Sequence, residues 1–462
     1  MKSNLCLPLL FLFLYSCANN QLIENHIKNL EHNQVKSDFY KDFEVSKGSK
    51  NYLLNTQEVG RTAFMLNRTD LTTSTFIKTT EQYNSLDERA TINAKGVSSG
   101  VLASTIGSDN NREYTGSDFE RSLDYFYNAI NYLKIGQLQK AMVELRAADN
   151  IQKFSQAKRE KQIYEAEDNT QYNFSDDINN AIAESQNTLQ GTKKRFLNPY
   201  IYYISGNIRE LNGDANGALV DYKAAVELYP NNPYVIADAL RLSELKDHDY
   251  YIRLKKAHPI FYNKDYLYKR QKTVIIVYEQ GFVPSKTAIN GKIFLINGIY
   301  GLSLPAYNKQ QDPLAEVNIE LLNNGKNVSS AQAAEIVNIY TLAKNDLAEN
   351  YKGIVARQVS RLITKSAMQE AGRENDKPLL QIVGGFSSLL EQADVRSFRT
   401  LPSYVQVAKI NTNANFNSVA VKINGRTVTF NDMLFHDNNI IIFYVIDLGF
   451  SVYKSVVYQG KK

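Results

Sequence analysis

Few side chains in this sequence are typed and spaced for chemistry, and each has a structural reading beside the chemical one. The densest charged group with apolar flanks is Glu391, Asp394, Arg396 and Arg399. Arg396 and Arg399 could hold a carboxylate or an anionic glycan through paired hydrogen bonds. The same four residues could instead pair among themselves and fix a helix-to-strand turn. Asp118, Glu120 and Arg121 stand where a helical pattern begins, and acids there suit capping and the positive end of the helix. His26, His32, His248, His258 and His436 fall at no metal-ligand spacing, and no Cys stands beside them. There is no GxGxxG, no GK[ST] phosphate loop and no GxSxG. Gly384-Gly385 lies in an apolar helical stretch, where it suits close packing better than a phosphate cradle. The expectation is a protein with no catalytic residues, no metal and no cofactor.

The strongest local signal surrounds Cys17. Lys2 precedes an apolar run from Leu5 to Leu14, and small and polar residues follow. The run is too short to span a bilayer, which takes about 20 apolar residues, and it has the order of an export signal. Leu14-Tyr15-Ser16-Cys17 resembles a bacterial lipobox, in which the Cys is acylated and becomes the mature N-terminus. Residues 1–16 are then a signal peptide and 17–35 a lipid-anchored linker. Of two cysteines in the chain, Cys6 leaves with the signal and Cys17 carries the lipid, so no disulfide and no cysteine-based site is expected. A free, exposed Cys17 is the alternative. Ala18 in place of Asp points, by resemblance to enteric lipoproteins, to the outer membrane facing the periplasm. Palmitate-type acyl chains would hold the protein on the membrane without crossing it.

Composition agrees with a folded chain of two or three units: 462 residues, 43% hydrophobic, 22% charged. The net charge of +5 is spread without a basic cluster, which leaves nucleic-acid binding without an electrostatic footprint.

Self-similarity organises the middle of the chain. Tyr125, Ala129, Tyr132, Gly136, Leu138, Ala141, Leu145 and Ala148 recur at matching intervals as Tyr202, Gly206, Gly213, Ala215, Ala218, Tyr222 and Ala225, with Pro230 after the second copy. These are tetratricopeptide-repeat (TPR) spacings. A third copy upstream has Gly60, Ala63, Leu71, Phe76 and Thr79, with Asn67 at the turn glycine and Thr72 at a small position. Small residues let paired helices approach, and Gly136 and Gly213 join them. Asn232 and Pro233 start a closing helix through Lys246. The predicted stack covers 36–260, with insertions at 94–116 and 153–197. Its concave face would offer Leu123, Phe126, Ile130, Tyr200, Tyr203, Asn207 and Glu210 to a protein partner. The alternative is that this stripe packs against the insertions.

From residue 273 to 462 the period changes. Strands are predicted at 273–278, 292–295, 316–322, 404–410, 418–423, 426–430, 440–446 and 451–458, with Asn424-Gly425 as a hairpin turn. Leu347, Tyr351, Ile354, Val355, Val359, Leu362 and Ile363 mark an amphipathic helix, and a second apolar helix is expected near 378–392. The fold class predicted is α+β: a TPR-like helical stack, then a mixed, mostly antiparallel sheet with inserted helices.

Three blocks, Tyr114–Arg121, Val277–Pro284 and Glu391–Pro402, carry a resemblance over nearly the whole mature chain. The chain is similar to uncharacterised bacterial lipoproteins that join TPR repeats to such a C-terminal domain. Phe398 stands where those relatives often carry Trp. The resemblance implies a cell-envelope setting beside lipoproteins that activate peptidoglycan synthases, and it implies no activity. The expected function is a non-catalytic protein-binding scaffold in envelope assembly or maintenance. The rival is a peptidoglycan or glycan binder using Arg396 and Arg399 of the C-terminal domain; a hydrolase with some carboxylate pair is the third reading, and no spacing identifies that pair.

Overall fold

In a computed structural model the described residues are 7–95, 109–165, 173–188, 197–259, 272–295, 298–374, 392–431 and 440–459. The chain is mixed α and β, and its sheets are dominated by antiparallel pairs.

Three helical hairpins form one layer. They are α2 (Tyr52–Met65) with α3 (Thr69–Lys95), α4 (Asp118–Lys134) with α5 (Leu138–Glu165), and α7 (Pro199–Leu211) with α8 (Ala215–Leu228). Helix α1 (Leu7–Glu31) precedes them all, and α6 (Asp176–Thr188) lies between the second and third hairpins in sequence. Each hairpin turns through a left-handed residue at the same place: Asn67 (φ 56°), Gly136 (φ 72°) and Gly213 (φ 80°). Asn tolerates that conformation better than other side-chain-bearing residues, so the first copy keeps the turn without glycine. The close approach inside the hairpins also repeats. A Cβ on Gly60 would sit 2.9 Å from the Phe76 ring, and one on Gly206 only 2.5 Å from the Tyr222 ring. In the middle hairpin Ala129 and Leu145 hold the same two places, both buried. Thr72 and Thr79 fill buried positions taken elsewhere by alanine, each donating its hydroxyl to the carbonyl four residues back.

Helices α9 (Pro233–Lys246) and α10 (His248–Ala257) follow. Asn232 caps α9 as expected, accepting from Tyr234 N (3.0 Å) and Val235 N (3.1 Å). Its amide nitrogen donates onward to the Ala334 and Glu335 carbonyls, so the cap also ties the helices to the sheet.

A five-stranded sheet lies against this layer in the order β12-β11-β2-β8-β7: β2 (Lys272–Phe282), β7 (Ala334–Asn338), β8 (Pro402–Thr412), β11 (Ile440–Asp447) and β12 (Val452–Gln459). Among the described residues only β2 and β11 pair in parallel. Alternation along β2 explains its continuous apolar run. Ile275 and Val277 face the helical layer, whereas Val274, Ile276 and Tyr278 face a second core. That second core is closed by a four-stranded sheet, β10-β9-β5-β6: β5 (Val317–Asn323), β6 (Lys326–Gln332), β9 (Ser418–Ile423) and β10 (Arg426–Phe430). The result is three layers: helices, sheet, sheet.

A third sheet crosses the predicted domain boundary. Strand β1 (Asn173–Phe174), from the insertion at 153–197, pairs with β3 (Thr287–Leu295), which pairs with β4 (Gly298–Ala306). Helix α6 follows β1 and packs on β3 and on α11 (Ile339–Glu374). A Cβ on Gly291 would meet Ile178 of α6 at 2.5 Å. The insertion is therefore a strap between the two halves.

The predicted strands are all present, some of them longer. Strands β1, β4, β6 and β7 were not anticipated. The second apolar helix expected near 378–392, Gly384-Gly385, Glu391 and His436 lie outside the described residues, as does most of the 94–116 insertion.

Candidate functional site at the helix–sheet junction

The stripe expected to face a partner is covered by the chain's own sheet. Leu123, Phe126, Ile130, Tyr200 and Tyr203 have no exposed surface, and Asn207 is buried. The first five share one core with Ile275 and Val277 of β2 and Val405 and Val407 of β8. Tyr127 and Tyr200 donate to the Glu279 carboxylate of β2 (3.0 and 3.4 Å). Lys409 of β8 donates to Asn207 Oδ1 (2.9 Å) and to both oxygens of Asp238 (2.9 and 2.8 Å), and Tyr203 donates to Asp238 as well (2.9 Å). Glu210 is half-buried and taken by Tyr222 (2.6 Å) and Arg241 (2.5 Å). The assignment of Phe126, Ile130, Tyr200, Tyr203, Asn207 and Glu210 to an open partner surface is thereby corrected. These residues could face a second layer at the same spacing, and the sheet is that layer.

Arg61 of α2 and Glu279 form an ion pair with no exposed side-chain surface on either partner. Arg61 also lies over the Tyr127 ring at 4.1 Å and donates to the Thr400 carbonyl (3.3 Å). Burial pushes the Glu279 carboxyl up, and Arg61 and Tyr127 oppose it. Neither residue was singled out from sequence, where a lone Arg and Glu carry no spacing signal.

Two helical carboxylates clamp the segment 398–400. Glu58 accepts from Arg399 N (2.6 Å) and Thr400 N (3.2 Å), and Glu120 accepts from Phe398 N (3.1 Å). Glu120 also caps its own helix through Ser117 N (3.0 Å) and takes the Tyr114 hydroxyl (2.6 Å). Burial pushes the Glu58 carboxyl up to about 7, against the pull of the Arg399 and Thr400 donors. Nearby Asp124, held by Gln57 (2.8 Å) and Tyr83 (3.0 Å), is pushed well above the carboxylate range by burial. Segments 114–121, 277–284 and 392–402 thus meet at this junction.

Arg396 and Arg399 serve the same clamp and do not offer an anion site. Arg396 is 3% exposed. It makes a two-pronged pair with Asp394 (2.8 Å twice) and donates to Asn51 Oδ1 and to the Lys50 and Arg112 carbonyls. Burial would raise the Asp394 carboxyl, but these hydrogen bonds and the Arg396 charge hold it below the usual range. Arg399 pairs with Glu24 of α1 and donates to the Val283 carbonyl (3.3 Å). The glycan contact assigned to these two guanidiniums is corrected on this ground: both are occupied inside the molecule.

What the junction leaves open is a polar cavity of about 380 Å³ beside the clamp. One wall is a single face of α11, where Asp346, Asn350, Ile354 and Arg357 follow at intervals of three or four. The opposite wall runs from Asp109 and Arg112 to the start of α4. Arg361 and Arg357 both approach Asp109 (2.8 and 3.8 Å). Burial pushes the Arg357 guanidinium down, Asp109 pulls it back, and Arg112 and Arg361 push it down further. Sequence reasoning missed Arg112 and Arg357, which stand far apart in the chain.

Helix α1 runs through the proposed cleavage point before Cys17, whose side chain lies outside the described residues. Downstream of Cys17, α1 is docked and is no linker: Ile23, Ile27 and Leu30 are buried, and the Leu30 carbonyl accepts from Ser451 (2.7 Å) and Tyr453 (2.8 Å). His26 donates to or accepts from Thr62 Oγ1 (2.8 Å) between Phe39 and Phe43, and burial pushes it down to about 4. Among the described residues no helix is long and apolar enough to cross a membrane, and no three His, Cys, Asp or Glu side chains gather as a metal site.

Comparison of the chain with family models, with curated proteins and with solved structures finds no match.

Proposed function

We propose that this is a lipid-anchored, non-catalytic binding protein of the bacterial envelope, tethered through an acylated Cys17 at the outer membrane and facing the periplasm. On this reading the three hairpins are TPR-like repeats, and the partner they grip is the protein's own C-terminal domain. The observation that carries the scaffold is the filled groove, in which Glu279 and Lys409 of the sheet take the polar positions of the helices. A rigid body of this kind presents its outer surfaces to an envelope protein. The left-handed residues at 67, 136 and 213 and the repeated close approaches support the repeat assignment. Metabolic labelling with palmitate should mark the wild-type protein and not Cys17→Ala; an unlabelled wild type defeats the tether. Crosslinking in intact cells should recover a defined envelope protein. That recovery should survive Tyr203→Phe, which leaves the outer surface untouched.

The junction cavity favours a second reading, in which the protein binds peptidoglycan or a glycan. The cavity has the volume of a small-ligand site, and its charged and polar lining, unlike the mostly apolar lining of such sites in general, suits a hydroxyl-rich ligand. Cosedimentation of the mature protein with purified sacculi separates the readings. No pelleting removes this one.

A further inference from the structure

The charges lining the cavity are sorted into two poles. At one pole Asp109 is already neutralised by Arg361 at 2.8 Å, yet Arg357 and Arg112 crowd the same place. Arg357 keeps 48% of its side chain exposed, and the Arg112 side chain is exposed and makes no ion pair among the described residues. Like charges gathered around a spent carboxylate leave positive charge unbalanced, which a bound anion would relieve. At the other pole Glu120 and Asp346 line the cavity, Glu120 already accepting from Ser117 N, Phe398 N and the Tyr114 hydroxyl. Asp118, in the first turn of α4, lines the cavity near them. Lys286 lies at this pole too, but its ammonium is engaged by the Arg396 carbonyl at 3.0 Å.

Asp346 and Arg357 lie eleven residues apart on one face of α11, which places them about 16 Å apart along the helix at ~1.5 Å per residue. An extended peptide advances about 3.3 Å per residue, so roughly five residues bridge that distance. Asn350 lies between the two; its amide nitrogen donates one hydrogen to the Asp346 carbonyl (2.8 Å), which leaves the amide oxygen to accept from a peptide N–H. We propose that the cavity is a binding site for a short extended peptide with free ends, its carboxylate between Arg357 and Arg112 and its ammonium at Asp346. A guanidinium pair matches a carboxylate in shape as well as charge, which a lysine pair would not. The site rests on the cavity alone and stands whether or not the protein is acylated or binds glycan.

Calorimetric titration of the mature protein with penta-alanine bearing free termini tests this, beside its C-terminal amide and its N-acetyl form. The free peptide should bind in the micromolar to millimolar range, and the amide at least tenfold more weakly. Arg357→Gln should weaken the free peptide by a similar factor and should no longer distinguish it from the amide. Asp346→Asn should in the same way erase the effect of N-acetylation. Both positions border the cavity, and circular dichroism melting of each variant confirms folding. Equal binding of all three peptides, an Arg357→Gln variant that still discriminates against the amide, or no heat at 5 mM peptide would each overturn the proposal.

Discussion

Arg61 of α2 and Glu279 of β2 meet across the helix–sheet boundary with no solvent at either side chain, though 218 residues separate them in sequence. Their contact has two consequences: it orients the sheet on the hairpins, and it makes each residue dependent on the other. A buried charge whose partner is removed keeps its desolvation cost and loses the compensating attraction. Arg61→Met or Glu279→Leu alone should therefore destabilise by about 3–5 kcal/mol. The double substitution Arg61→Met with Glu279→Leu should recover much of that loss, because an apolar pair of similar volume suits the site. Urea melts of the four proteins measure the coupling, and additive losses would show that the two side chains do not act as a pair.

The helical hairpins depend on contacts without side chains. Gly206→Ala places a methyl group 2.5 Å from the Tyr222 ring, and Tyr222 is itself fully buried and cannot swing away. Overpacking of this kind costs about 1–3 kcal/mol. At Gly213, where nothing lies within 4 Å, alanine meets only the left-handed backbone, at about 1–2 kcal/mol. Adding Tyr222→Leu should rescue Gly206→Ala and leave Gly213→Ala unrelieved; thermal melts that show equal rescue contradict the close approach.

Glu58 gives the clamp a pH dependence whose sign is fixed. Unfolded, its carboxyl loses its proton near pH 4.5; folded, burial holds the proton up to about 7. Between those values the folded chain binds more protons, so this group's contribution to stability falls as pH rises through the window and is constant above it. The difference amounts to roughly 3 kcal/mol. Gln at position 58 does not titrate and offers one acceptor to two backbone donors. Wild type should therefore exceed Glu58→Gln by more at pH 5 than at pH 8, and denaturant melts showing a constant gap would contradict the assignment.

Much of the architecture was legible because its signals are local. The apolar alternation of β8, the Asn424-Gly425 turn and the Asn232 cap each act within a few residues. Strand β6 was missed because KNVSSAQ is polar and mostly exposed, although Asn324-Gly325 makes the same left-handed pair (φ 49° and 80°) as the turn that was read. Strand β4 was hidden by Gly298, Gly301 and Pro305. The site was misjudged for another reason: helical spacing shows that Tyr203 and Asn207 share a face, not what covers it. A clue was present in Thr273–Tyr278, since a strand apolar on both faces needs a layer on each side. The buried roles of Arg396 and Arg399 followed from contacts with Asn51 and Glu24, more than 340 residues away, which no local pattern encodes.

Whether the hairpin groove is filled by the protein's own sheet can be read directly by hydroxyl-radical footprinting of the mature protein with mass spectrometry. Phe450 is 83% and Phe154 62% exposed, which supplies internal references. Phe126, Tyr200 and Tyr203 should be protected relative to both and should stay protected after any envelope partner has been stripped away. Oxidation of Tyr200 and Tyr203 at the rate of Phe450 would mean an open groove, and the self-filled scaffold would be wrong.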